Sequence, residues 1–191
     1  DPFNSSGIRV LSYNNEIKYN KVAESYVGIL IDGSDNNTII SNEIDDVEIG
    51  ILLTRSNNNI ISLNHIDSAG SNDIELSDIG NSEGSRLNTI SENIDIDSIV
   101  FIDSDSNFLL NSEVITINLE NSERISSVSS EFDYVICDSD SSLYLKNNMN
   151  VNVSRLGSHL QGVDLRVQDG STTVYSTPYF GGSDQKTTPE G

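Results

Sequence analysis

A repeat of 22 residues constrains this chain more than any other feature of its sequence. The triplet asparagine, variable residue, apolar residue begins at Asn20, at Asn42 and at Asn64, with the same step between neighbours. A repeat of this length is typical of a solenoid, in which no single unit can bury its apolar face and stacked units bury it together. The step therefore predicts a repetitive fold before any other pattern is considered.

Within each repeat the apolar residues alternate, as in the pairs Ile29 with Ile31 and Ile51 with Leu53. Alternation with a period of two is the pattern of a half-buried strand, whereas a helix needs a period near 3.6. Strands of successive coils would stack about 4.8 Å apart. The sequence thus predicts an all-β chain built as a single-stranded, right-handed parallel β-helix of about 22 residues per coil. Its predicted core contains Ile29, Ile31, Ile39, Ile44, Ile51, Leu53, Ile61 and Ile66.

Two further expectations follow from the same step. The asparagine column should form an in-register ladder of side-chain amides, each bonded to the next. Gly28 and Gly50 should occupy equivalent positions in adjacent coils, at a tight corner that uses the conformational freedom of glycine.

The composition changes near Ser142. We predict a β-helix over residues 1–142 and a second, truncated antiparallel β-sandwich module over 143–191. In the second part Val167 and Thr172 flank Asp169-Gly170, a hairpin turn signal. A sandwich needs about seven strands, and fewer are visible, so we interpret the chain as a fragment of a longer protein.

Charge excludes one class of partner. Thirty acidic against ten basic residues give a formal net charge of −20, which repels nucleic acid. No apolar run approaches the length of about 20 residues that a membrane-spanning helix needs. The single cysteine, Cys137, cannot form an internal disulfide.

Three segments carry a family resemblance: Asn36-Asn-Thr-Ile-Ile-Ser-Asn-Glu-Ile44, Gly50-Ile-Leu-Leu53 and Asn57-Asn-Asn-Ile-Ile-Ser-Leu-Asn-His-Ile66. They resemble the repeats of NosD-like right-handed β-helix proteins, which belong to a wider group of carbohydrate-binding proteins and sugar hydrolases. The resemblance spans about residues 7–118 and implies the fold more than a function. The stretch from Arg155 to Gly170 resembles the opening of small Ig-like or prealbumin-like modules.

Carboxylates are the most plentiful candidate ligands. The step places Asp45 below Asp67, and Glu24 below Asp46. Stacked carboxylates raise each other's pKa or recruit a cation such as Ca²⁺. The alternative is that they are solvated turn residues, and no other cofactor is expected.

Arg55 and Asp78 are candidate ligand contacts at one corner of the coils. Arg55 could bind an acidic sugar, act in elimination chemistry, or simply offset Asp32, Asp35 and Asp78. His65 should point outwards. Copper would require clustered histidine, methionine or cysteine, and His65, His159, Met149 and Cys137 are scattered. No catalytic residue is assigned.

These observations favour a non-catalytic piece of an extracellular, periplasmic or cell-surface protein that serves as an elongated scaffold or a glycan-contacting surface. One alternative is a polysaccharide lyase, hydrolase or epimerase with catalytic turns partly outside the chain. Another is a structural envelope or adhesin stalk without a ligand. Three acids, or an acid with Arg or Lys, converging in one groove would favour the enzyme.

Overall fold

The computed structural model describes residues 5–77 and 84–146, together with the backbone of four short strands between residues 154 and 176. The chain divides into two compact units, Asp1–Asn147 and Asn148–Gly191. Every described element is a strand, so the described residues contain no helix that is long and apolar enough to cross a membrane.

The first unit is a parallel β-solenoid with two seven-stranded sheets, and its strands alternate between the sheets along the chain. With strands numbered in chain order, the first sheet contains β1 (Ser6–Val10), β3 (Lys21–Asp32), β5 (Glu43–Thr54), β7 (His65–Ser77), β9 (Ile96–Ile102), β11 (Glu113–Glu120) and β13 (Glu131–Cys137). The second sheet contains β2 (Glu16–Lys18), β4 (Thr38–Ile40), β6 (Ile60–Ser62), β8 (Thr89–Ser91), β10 (Phe108–Leu110), β12 (Ile125–Val128) and β14 (Leu143–Lys146). The predicted parallel β-helix is confirmed.

The coil length follows the predicted step at first and then changes. Ile39 pairs with Ile61, 22 residues later. The next coil is longer, because Asn59 bonds to Asn88 across 29 residues. Near the end of the solenoid Ser104 bonds to Ser122 across only 18 residues. The strands still pair in parallel, but the pairing of β5 with β7 shifts register between Val47 and Ile49, so both the corners and this bulge absorb the differences in length.

The interior is filled by the alternating apolar residues. All eight predicted core residues are completely buried and belong to one cluster that runs through the coils. Burial of a side chain of this size stabilises the fold by about 1.5–3 kcal/mol.

Two asparagine ladders line the interior corners. In the predicted ladder, the backbone N–H and the Nδ2 amide of Asn20 donate to Oδ1 of Asn42, and the same bonds link Asn42 to Asn64 and Asn64 to Asn93. A second ladder contains Asn15, Asn37, Asn59, Asn88 and Asn107. Each asparagine therefore satisfies buried donors of the preceding coil.

The outer corners are made by single residues in the left-handed region. Tyr19, Ser41 and Leu63 occupy one such column, with φ of 57°, 54° and 54°. This conformation costs a non-glycine residue roughly 1–2 kcal/mol. Its recurrence at equivalent positions indicates that the stacked coils on either side impose the turn.

The expected stacking of Gly28 and Gly50 is confirmed, but the expected reason for glycine is wrong. Their flanking residues pair in register, and neither glycine has a positive φ. A Cβ on Gly28 would instead lie 2.6 Å from the Gly50 carbonyl oxygen and 2.6 Å from Cγ2 of Ile44. Glycine is required here by close packing against the core.

The end of the solenoid lies beyond the expected position. Leu143–Lys146, which the composition assigned to the second module, pairs in parallel with β12 and belongs to the second sheet. In the second unit, β15 (Ser154–Arg155) pairs antiparallel with β16 (Ser158–His159), and β17 (Arg166–Asp169) with β18 (Thr172–Ser176). The latter pair is the predicted hairpin, and the sandwich identity of this module stays a prediction.

Candidate functional site

The two acids proposed for calcium lie in adjacent coils. Asp45 pairs with Asp67 in parallel register, and both residues are exposed. Glu24 and Asp46 occupy equivalent left-handed corners beside them, with φ of 54° and 50°. In residues 5–77 and 84–146 no three His, Cys, Asp or Glu side chains converge as a metal site would require. Calcium binding by this pair and the alternative, that both acids are solvated turn residues, both stay predictions.

Arg55 is held in a network of ion pairs. Its Nη2 atom lies 2.5 Å from Oδ1 of Asp32, whose Oδ2 atom lies 2.8 Å from Nη2 of Arg9. Partial burial favours the neutral form of Asp32, but the two guanidinium groups outweigh it and hold the pKa of this carboxyl below its usual range. Asp35 accepts the backbone N–H of Asn57 instead. Asp78 lies outside the described residues.

His65 points outwards, as expected. Its Nε2 atom lies 2.6 Å from Oδ2 of Asp95 in the following coil, and its side chain is 45 % exposed. Asp95 also lines a groove that the sequence analysis did not identify.

This acidic groove encloses about 400 Å³ on the outside of the last three coils of the first sheet. It is lined by residues of 93–97, 113–115 and 131–133. They include five exposed carboxylates, Asp95, Asp97, Glu113, Glu131 and Asp133, and no lysine or arginine. The exposed Ile94 and Ile115 contribute apolar surface.

The strand register stacks two of these acids. Glu113 pairs with Glu131 on adjacent strands, which lie about 4.8 Å apart. Asp95 lies just before β9 at a left-handed position, with φ of 57°, and lines the same groove. A groove lined by three such acids is the arrangement that would favour an enzyme.

The outer face of the second sheet, unlike that of the first, is largely uncharged. Its inward residues, Ile39, Ile61, Ile90 and Leu109, are buried, so the residues on either side of them point outwards. From β4 to β12 these outward side chains form what we call the neutral strip: Thr38, Ile40, Ile60, Ser62, Thr89, Ser91, Phe108, Leu110, Ser126 and Val128. All strands of the strip are described and none carries a charge there. Ile60 is 45 % exposed, and all the others except Ser126 are half-buried.

Charge is therefore segregated between the two sheets of a strongly acidic chain. The first sheet carries acids in every strand from β3 to β13. Charged residues enter the outer face of the second sheet only at its ends, with Glu16 and Lys18 in β2 and Lys146 in β14. The sequence contains the signal for this segregation, because the segments that form β4, β6, β8, β10 and β12 carry no charged residue. The sequence analysis interpreted these segments only as core and turns.

The chain matches the model of a known protein family. The family described as "Periplasmic copper-binding protein (NosD)" matches residues 3–135. No curated protein matches the chain.

The described residues do not fit a copper site. Copper is held by clustered imidazole, thiolate and thioether ligands. His65, in β7, is engaged with Asp95, and Cys137 is exposed at the end of β13. No set of three such ligands converges in the described part of the chain, and the side chains of Met149 and His159 lie outside it. The family match spans more than half of the sequence and agrees with the parallel β-solenoid, so the chain belongs to the NosD family.

Proposed function

We propose that this chain is a non-catalytic scaffold of the cell envelope or the extracellular space whose lateral surface contacts glycans. The solenoid and the family, described as periplasmic, fit a scaffold or surface role. The neutral strip is the observation that supports glycan contact. A glycan needs a continuous outer surface with hydroxyl groups and apolar patches, and the strip presents both along five consecutive coils.

The interior supports a scaffold rather than a reaction chamber. Its apolar residues pack in one continuous cluster, and its asparagine amides are bonded within the ladders. Groups that are fully packed and hydrogen bonded stabilise the coils and are not available to a substrate. Recognition then falls to the outward side chains.

A panel of immobilised envelope polysaccharides tests this proposal. The complete 191-residue chain should be retained on at least one glycan surface and not on the uncoated support, with the affinity measured by calorimetry. Retention on no surface would contradict glycan contact and leave a structural stalk without a ligand.

The acidic groove favours a second candidate, a polysaccharide-acting enzyme. Hydrolysis of a glycosidic bond uses a pair of carboxylates, which lie roughly 5–5.5 Å apart in retaining enzymes. Glu113 and Glu131 stack on adjacent strands, and the strand spacing of about 4.8 Å is close to this separation.

New reducing ends, or unsaturated products absorbing in the ultraviolet, would reveal cleavage of the same polysaccharides. An enzyme would lose this activity in the Glu113→Gln variant, because the amide cannot act as an acid, a base or a nucleophile. The exposed Glu43→Gln change in β5 is the matched control outside the groove. The scaffold proposal expects no products from the parent chain.

A further inference from the structure

We infer that the neutral strip binds an uncharged, linear polysaccharide that lies along the stacking axis of the solenoid. This inference rests on the proposed function and adds to it the class of glycan and the place where it binds. It also separates the strip from the acidic groove, which would select a different class.

The charge distribution sets the class of ligand. At a net charge of −20 the chain repels acidic polymers over most of its surface. An amine-bearing polymer would be drawn to the acidic groove, where five carboxylates lie without a lysine or arginine. The strip offers no opposite charge to either, so an uncharged polymer is the ligand that does not have to desolvate an unpaired charge there.

The chemistry of the strip suits the two faces of a sugar ring. Thr89 and Ser91 place hydroxyl groups in the middle strand, where they can exchange hydrogen bonds with sugar hydroxyls. Ile60 and Phe108 provide apolar surface on either side of Thr89 in the same column. Tyr144, 52 % exposed, extends this column beyond Ser126.

The dimensions favour a thin polymer over a protein. Five strands at about 4.8 Å give a length of about 24 Å, and outward residues of one strand lie about 7 Å apart. A stable protein interface buries about 800 Å² on each partner, which is several times the footprint of this strip. A single polysaccharide chain along the axis meets one pair of uncharged outward side chains at each coil.

The experiment compares three soluble probes: a neutral glucan, polygalacturonate as the acidic glycan and chitosan oligomers as the amine-bearing glycan. Calorimetry should detect binding of the neutral glucan by the complete chain. Ile60→Glu should weaken it by about tenfold or more, since it places a charge within a small uncharged interface. Ile60→Thr, which keeps the strip neutral, should retain most of the affinity.

Two controls keep the result interpretable. Glu43→Gln changes an exposed residue of β5 outside both the strip and the groove and should leave glucan binding unchanged. Thermal unfolding by circular dichroism should show that both Ile60 variants fold, as expected for a side chain that is 45 % exposed.

Each result that would contradict the inference can be distinguished from the others. If a neutral glucan binds equally to the parent chain and to Ile60→Glu, the strip is not its site, although glycan contact stands. Binding only of chitosan, abolished by Glu113→Gln, would move the site to the groove and overturn the inference. Self-association that Ile60→Glu removes, without glucan binding, would identify the strip as a contact between copies. If none of the three probes binds, the inference is wrong, and the wider polysaccharide panel still decides the proposed function.

Discussion

Replacing Asn64 by alanine removes the centre of the predicted asparagine ladder. Oδ1 of Asn64 accepts the backbone N–H of Asn42 at 3.0 Å and its Nδ2 amide at 2.9 Å. Nδ2 of Asn64 donates to the carbonyl oxygen of Ile39 at 3.0 Å and to Oδ1 of Asn93 at 3.0 Å. Asn64 is completely buried and Asn42 is 2 % exposed, so water does not replace the lost partners without opening the coil.

The magnitude follows from the groups left without these bonds. The N–H of Asn42 loses its acceptor, and the carbonyl oxygen of Ile39 loses this donor, whereas the Asn42 amide retains the carbonyl oxygens of Ile17 and Ile40. A buried polar group left unpaired costs about 1–3 kcal/mol. Asn64→Ala should therefore reduce the free energy of unfolding by about 2–6 kcal/mol.

Asn20→Ala is the matched control in the same column. Asn20 begins the ladder, is only half-buried, and its backbone N–H still donates to Asn42 after the change. Its cost should stay below about 1 kcal/mol. Urea titration followed by far-ultraviolet circular dichroism measures both values, with the slope checked for a common unfolded state. Equal losses in the two variants would refute the assignment of stability to the buried ladder.

Three other predictions concern buried or stacked polar groups. Ser127 is completely buried in the inward column next to Leu109, and its hydroxyl has no hydrogen-bond partner among the described residues. Ser127→Val should therefore raise the free energy of unfolding, measured by urea titration, by about 1–3 kcal/mol. A lower free energy of unfolding would show that the hydroxyl is hydrogen bonded or that the site is too small for valine. Burial raises the pKa of Asp73, although its carboxylate accepts hydrogen bonds from the backbone N–H groups of Asp97 and Ser98. The contribution of this group to stability is therefore greatest below the ordinary carboxyl pKa and is lost as the pH rises through the raised pKa. Asp73→Asn should therefore be more stable than the parent chain at pH 7 and similar to it at about pH 3, and a variant less stable at pH 7 would reverse this sign. Calcium and sodium at matched ionic strength should raise the Tm equally. Calcium needs about six to eight oxygen ligands, and in the described residues no group of three acids forms around the stacked pair Asp45 and Asp67. A rise in Tm that is specific to calcium and is abolished by Asp67→Asn would establish the site.

The sequence predicted the fold where one residue type marks each coil. Asn42 and Asn64 recur at a fixed step because each must meet the next amide, and Ile51 and Leu53 alternate because only one face of a strand is buried. The shorter coils were harder to place, since serine replaces asparagine at Ser112, which donates its backbone N–H to Oγ of Ser130.

The corners and the surface sites had weaker signals. Tyr19 and Leu63 adopt positive φ although neither residue type favours it, because the stacked coils impose the turn. The adjacency of Asp45 and Asp67 followed directly from the step. The acidic groove did not, because it depends on the 18-residue register that pairs Glu113 with Glu131.

The asparagine ladder also has a direction. Each asparagine from Asn20 to Asn64 donates its side-chain amide to the oxygen of the next ladder residue, and the ladder ends at Asn93. During synthesis the N-terminal coils emerge first, and the inner amides of each coil wait for the next coil to supply one oxygen. Each new coil therefore supplies acceptors for the amides of the coil before it. An interrupted chain leaves only its last coil with open donors, which confines the exposed polar interior to a single growing end.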